Sequence, residues 1–415
     1  MQEITQDFRD ILRGFKMTVD FNKLIFAFVG IVFSIIWVLV VLAFLSALEL
    51  INTDPFTIID KVLVSPRLGL SYLFSAFLSG MATVDWAEYL GLVVLVVGLL
   101  IIWSIIGGAI TRLAALEFAR DEKIGFKEAL SFASKKFWSY FWSPITPALG
   151  VLFFVACNII GGLFGQIKYI GEIAVAIGFP LAILSGFLII FIGIIGAIGF
   201  FLMFPTISAE GSDAFDAMSR AYSYVISKPK HFISLFLGII ICGSIFTILV
   251  SLVACLVMQT SFYTVGFGMG EKFESISAVI LGGDYGKAPM ASLDLLSMKF
   301  TALMLMIYVV LVKVVIGSLV VAFAGSASTI AYFLLRKDVD GTDINDVYIE
   351  EIEEEEKGEG EKEEGEKEEG EKEETKVETE EVETTATQEE QTTQEEELKE
   401  KPPEEPGESS PEEQT

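Results

Sequence analysis

The chain has 415 residues, 52% of them hydrophobic, yet carries a net charge of −27, a combination that no single ordinary globular domain shows. The two extremes are segregated: from Asp338 onward 35 Asp and Glu stand against 7 Lys, whereas the first 337 residues hold 22 Lys and Arg against 21 Asp and Glu. A polyanionic tail is repelled by phosphates, which excludes nucleic acid as its partner, and a single histidine, His231, excludes any site built on two imidazoles.

At the start of the chain Phe8, Ile11, Leu12, Phe15 and Val19 recur at helical spacing, with Arg9, Asp10, Arg13 and Lys16 between them. This pattern predicts an amphipathic N-terminal helix over 1–23, either lying in the membrane interface or packed on neighbouring loops. A helix needs about 20 apolar residues to cross the hydrocarbon core. Six stretches supply them, at roughly 24–48, 88–111, 145–164, 174–204, 232–258 and 300–334. The fold class expected is therefore all-α, a polytopic transmembrane bundle with both termini on one side. The first span is too long for a signal-peptide core and is expected to stay as an uncleaved anchor.

Basic residues orient the spans. Fifteen Lys and Arg fall on the side of the termini, including Arg112, Lys136, Arg220 and Arg336, against six on the other. By the positive-inside rule both termini are expected in the cytoplasm of a bacterial cell, the chain lying in its plasma (inner) membrane. The outer segments 49–87 and 259–299 are long, and the second is rich in glycine. Both read as loops able to form a small cap.

The two large inner loops resemble each other. Glu128-Ala129-Leu130-Ser131-Phe132-Ala133-Ser134 aligns with Asp216-Ala217-Met218-Ser219-Arg220-Ala221-Tyr222, each following a span that ends in an acid, Glu117 or Glu210. In the first loop Phe126, Ala129, Leu130, Ala133, Phe137 and Phe141 form an apolar helical stripe. Each loop thus holds a short amphipathic helix, which either docks a protein partner or closes the bundle from below. Glu117, Phe126, Glu128, Leu130, Phe137, Glu210, Asp216 and Arg220 are the candidate docking residues. Lys228-Pro229 is expected to stop the second helix, and Ser143-Pro144 to start span three.

Within the spans, Lys313 places an ammonium in an apolar helix, where such a charge lines a polar path or snorkels to the interface. With Asn158 and Glu172 it forms a candidate polar path. Ser318, Ala322, Ser326 and Thr329 in span six, and Gly186, Gly193 and Ala197 in span four, form small-residue stripes that permit close helix approach. Cys157, Cys242 and Cys255 lie in apolar runs and read as packing residues. There is no H-E-x-x-H motif, no G-x-S-x-G elbow and no phosphate loop ending in G-K-[ST]. No catalytic set, cofactor or metal is therefore expected. The tail, 338–415, repeats Gly-Glu-Lys-Glu-Glu three times and lacks the apolar residues needed for a core, so it reads as disordered.

Around Phe204-Pro205-Thr206-Ile207-Ser208-Ala209-Glu210 and on to Val225, the chain resembles a family of uncharacterised bacterial six-span membrane proteins of planctomycete-like genomes. Segments 119–123 and 335–343 look similar to that family's other cytoplasmic parts. There is also a faint similarity to the membrane domains beside some glycerophosphodiester phosphodiesterases, whose catalytic domain has no counterpart in this sequence. The resemblance covers the six spans and implies an architecture without a reaction. The function expected is a non-enzymatic membrane scaffold or accessory subunit that contacts the bilayer and engages a partner protein through its loop helices and tail. A small-solute or ion transporter using Lys313 is the alternative.

Overall fold

The computed structural model describes residues 12–47, 86–281, 293 and 295–349, and these form eleven α-helices and no strand. Six helices are long and apolar enough to cross a membrane: α2 (Phe21–Ala47), α3 (Trp86–Arg120), α6 (Ile145–Phe164), α7 (Ile170–Glu210), α9 (Pro229–Met269) and α11 (Leu296–Asp340). The short ones are α1 (Arg13–Thr18), α4 (Phe126–Lys135), α5 (Phe137–Trp142), α8 (Ala214–Ser227) and α10 (Glu271–Leu281). The protein is thus a multi-pass helical membrane protein.

Span three matches its expected limits, 145–164, residue for residue. The others begin before theirs, and α3, α7, α9 and α11 also end later, because hydropathy ends where polar residues begin while helical hydrogen bonding continues through them. At 41 residues, α7 and α9 are each about 62 Å long, twice the ~30 Å hydrocarbon core. Three of the long helices, α7, α9 and α11, stop on a glycine of positive φ. Gly211 after α7 and Gly341 after α11 adopt left-handed backbone, with φ of +64° and +68°. The segment 259–299, expected as a loop, is partly helical: α9 continues through Met269, and α10 follows after Gly270. The segment 49–85 lies outside the described residues.

Helices α3 and α11 form the centre. Helix α3 packs against α2, α4, α7 and α11, and α11 packs against α1, α2, α7 and α9. Glycines set the closest approaches. A Cβ on Gly98 would sit 2.0 Å from the indole of Trp37, whose Nε1 donates to the Leu95 carbonyl at 3.2 Å. Gly108 likewise admits the ring of Tyr140, and Gly325 admits Ile110. The span-six stripe behaves as expected, since Ser318, Ala322, Ser326 and Thr329 are all buried. The span-four stripe does not. Gly186 faces open space and Ala197 is exposed, while Gly196 and Gly199, on a different face of α7, are buried.

The N-terminal helix also departs from expectation. Only Arg13–Thr18 form α1, and residues 21–23 already belong to α2; residues 1–11 lie outside the described ones. One side of α1 packs on α11, and its Phe15 also reaches α9. Phe15 lies 4.9 Å from the ring of Phe323 and 5.3 Å from that of Phe246, and Gly14 lets the backbone sit on Phe323 and Ala327. Of the apolar positions in that stripe, Phe15 packs into the bundle, Leu12 and Val19 are exposed, and Phe8 and Ile11 lie outside the described residues.

Candidate functional site at the basic end of the bundle

The polar chemistry of the described residues is concentrated where α3, α7 and α11 end, at the pole richest in Lys and Arg. Three polar knots tie these ends together. In the first, Lys23 of α2 forms an ion pair with Glu117 of α3 and also donates to the Met17 carbonyl at 3.2 Å. The Lys23 side chain is 1% exposed and that of Glu117 is 10% exposed, so each is the other's replacement for water.

In the second knot, Glu210 at the end of α7 meets Arg220 of α8 at 2.8 Å and Arg336 of α11 at 3.1 Å, and accepts from the hydroxyl of Tyr332. The Arg336 contact runs through Nε and is a charge pairing without hydrogen-bond alignment. Its terminal nitrogens reach Asp346 instead, the carbonyl at 2.6 Å and Oδ2 at 3.4 Å. Arg220 also pairs with Asp216 one turn back, at 3.1 Å. Tyr224 donates to Asp340, and burial together with that hydrogen bond raises the Tyr224 pKa above the ordinary tyrosine range.

The third knot is built on Arg112, which is only 4% exposed. Its guanidinium forks between the Ser208 carbonyl at 2.7 Å and the Tyr348 carbonyl at 2.8 Å, and lies 4.1 Å above the ring of Phe132. Beside it the Ser208 hydroxyl bonds Thr111 at 2.6 Å and Tyr140 at 2.8 Å. Tyr140 is fully buried, and desolvation raises its pKa against the opposing effect of Ser208 and Arg112. Tyr348 closes the knot. Its N–H donates to the Ala209 carbonyl at 2.8 Å, its ring lies over Gly211, and Lys136 donates to the Gly211 carbonyl. A side chain at Gly211 would collide with that ring at 2.6 Å, so this glycine serves both the turn and the strap.

Here the expected tail boundary moves. Residues 338–340 end α11, and 341–349 form a strap across the ends of α3, α7 and α11, held by Arg112, Arg336 and the Ala209 carbonyl. The tail from 350 onward lies outside the described residues.

The eight candidate docking residues are divided by this arrangement. Glu117 and Glu210 turn inward into ion pairs, and Asp216 and Arg220 join the Glu210 knot. Phe126 stacks on Phe26 with centroids 4.1 Å apart, and Leu130 packs against the α2–α3 core between buried Ala129 and Ala133. Phe137 is half-buried and stacks on Phe141 at 5.7 Å. Glu128 remains exposed, with Lys127 and Ser131 on the same side of α4. Both loop helices form where expected, and Asp213 caps the second by accepting from the Asp216 N–H at 2.8 Å.

The three polar-path residues are spread out. Asn158 of α6 accepts from Ser185 of α7 at 2.7 Å, and Glu172 is exposed in the first turn of α7. Lys313 is half-buried on α11, which is not among the main neighbours of α6.

Reasoning from sequence missed Arg112, Tyr140, Ser208, Tyr332 and Tyr348 as members of a site. A signal existed for Arg112: it lies inside α3, eight residues before the helix ends, where a basic side chain needs a buried reason to stay. Comparison of the chain with protein-family models, curated sequences and solved structures finds no match.

Proposed function

We propose that this chain is a membrane scaffold or accessory subunit, and that its basic end is a rigid platform on which a protein partner is held at the cytoplasmic face of a bacterial inner membrane. The observation that carries this reading is the Arg112 and Glu210 knots. Between them they join the buried Thr111, Arg112, Ser208 and Arg336 to Glu210, Tyr140 and Tyr332, and so tie three span ends, two loop helices and the C-terminal strap together. Rigidity of that kind suits presentation of a surface. The excess of fifteen basic residues over six supports placing this end in the cytoplasm.

The surface offered differs from the apolar stripe. Phe126 and Leu130 hold α4 to the bundle, whereas Lys127, Glu128 and Ser131 face outward, and the acidic tail leaves the strap after Ile349. A partner engages through that polar face and the tail. Crosslinking and affinity capture of the full chain test this. A partner captured by the parent chain should be lost on deletion of 350–415 or in Lys127→Glu/Ser131→Glu, while Phe126→Ser lowers thermal stability. Capture of no protein by the parent chain, or undiminished capture by both altered chains, removes the proposal.

Less supports a transporter, since Asn158 is satisfied within its own helical hairpin and lies away from Lys313. Solute flux in vesicles that disappears in Lys313→Met would reverse this preference.

A further inference from the structure

Short as it is, α5 has two unlike sides. Tyr140 points into the bundle, buried against Gly108 and the ring of Phe204, whose centroid is 5.1 Å away. Trp138 and Trp142 point away from the bundle and are 63% and 42% exposed. Both lean on Phe141, and Trp138 also on Phe137, in edge-on ring contacts.

The side that carries the tryptophans continues into span α6. Ser143 and Pro144 keep helical backbone, with φ and ψ of −56° and −45° and of −75° and −21°, and the Thr146 hydroxyl donates to the Trp142 carbonyl at 2.8 Å. By helical spacing Trp138, Trp142, Leu149, Leu152 and Phe153 then share one face, and all are exposed. On α6, a membrane span, that face meets lipid. The surface on α5 is its direct extension.

Depth sets what the tryptophans touch. With 20 residues α6 is about 30 Å long, the thickness of the hydrocarbon core, so Ile145 lies at the edge of that core. Counted outward at about 1.5 Å per residue, Trp142 lies ~4 Å and Trp138 ~10 Å beyond the edge. The headgroup layer is about 5–7 Å deep on each side. Trp142 therefore stands inside that layer and Trp138 at its border with water. Tyr140, between them, keeps α5 low: Gly108 and Phe204 lie one turn membrane-ward of Arg112 and Ser208, so α5 flanks the spans instead of standing above them. The exposed Lys135 precedes α5, which completes the order apolar, indole, ammonium expected on passing from hydrocarbon to water.

We infer that α5 is an interfacial anchor whose exposed face docks in the phospholipid headgroup layer, with Trp142 within the layer and Trp138 at its aqueous border. An indole suits this place. Its ring leaves water, while its N–H, which has no acceptor among the described residues for either tryptophan, reaches a phosphate or ester oxygen. Through the bond between Tyr140 and Ser208 the anchor sets the depth of the Arg112 knot. This surface is separate from the polar face of α4 offered to a partner.

Spin labels on the full-length chain in phosphatidylethanolamine and phosphatidylglycerol vesicles test this. Cys157, Cys242 and Cys255 are replaced by alanine, and one label is placed at Ser131→Cys, Trp138→Cys, Trp142→Cys or Leu149→Cys. All four side chains are exposed, so each variant should keep the helical circular dichroism of the parent. Collision with an aqueous nickel chelate should fall in the order 131, 138, 142, 149, roughly threefold between 131 and 142, while collision with oxygen rises along the same order. Labels at 138 and 142 as open to nickel as the label at 131 would put the face in water, and labels shielded from both reagents would put it under protein. Either result would overturn the assignment.

Discussion

Arg112 shows how much of the basic end depends on a single side chain. A guanidinium can fork between the carbonyls of Ser208 and Tyr348, on two different elements, while its plane rests on Phe132. A lysine ammonium cannot reproduce that fork. We predict that Arg112→Lys and Arg112→Leu both destabilise the protein by about 2–4 kcal/mol, as expected for losing two hydrogen bonds to a charged donor. Unfolding in mild detergent measures this, and a Lys variant as stable as the parent would contradict it. Glu210→Gln should cost about 3–5 kcal/mol, because Arg336, its side chain 8% exposed, would lose its buried charge partner and keep the 3.4 Å contact to the exposed Asp346.

The buried tyrosines predict a pH dependence at the same scale. Burial raises the pKa of both Tyr140 and Tyr224 above the ordinary value of 10.0. The folded state therefore holds these protons more tightly than the unfolded state. Their contribution to stability is full below about pH 10 and is lost as pH rises through the raised values. Melting temperature should fall steeply above pH 10, and Tyr140→Phe should flatten that fall even though it lowers stability near neutrality by removing the bond to Ser208. A profile with the same alkaline slope in both proteins would count against this.

Among the elements, the strap 341–349 makes the sharpest prediction. Truncation after Ile349 should leave the melting temperature unchanged. Truncation after Asp340 should lower it markedly and expose the ends of α3 and α7 to protease, since Arg112, Arg336 and the Ala209 carbonyl all lose partners. Two truncations of equal stability would show that the strap is dispensable.

The elements also show what could be read from the sequence. The six spans were legible because crossing a bilayer demands a long apolar run, and the loop helices because Ala129, Ala133, Ala217 and Ala221 repeat at helical spacing. The strap was not legible. Ile344 and Val347 are buried, but they follow Asp338 and Asp340 and precede a run of glutamates, so composition alone assigned them to the tail. Nor could it be seen which small-residue face of α7 would be buried. Gly186 and Gly196 look alike in sequence, and only Pro147 and Tyr222, which close on Gly196, tell them apart. Where two of the candidate docking acids would turn was not legible for a related reason: Glu117 and Glu210 sit where a helix leaves the bilayer, a position equally suited to a solvent-facing charge and to a buried pair, and their partners Lys23 and Arg336 come from 94 and 126 positions away.

For the molecule as a whole, the apolar spans and the basic pole together define a sidedness on which the proposed platform depends. Accessibility of single cysteines in intact cells tests it most directly, with Cys157, Cys242 and Cys255 replaced by alanine and a reporter placed at one exposed position near each pole. Ser275→Cys, on α10, should react with a membrane-impermeant maleimide in intact cells, and Ser131→Cys, on α4, only after permeabilisation. Labelling of Ser131→Cys in intact cells, with Ser275→Cys protected, would invert the molecule and contradict the placement of its platform in the cytoplasm.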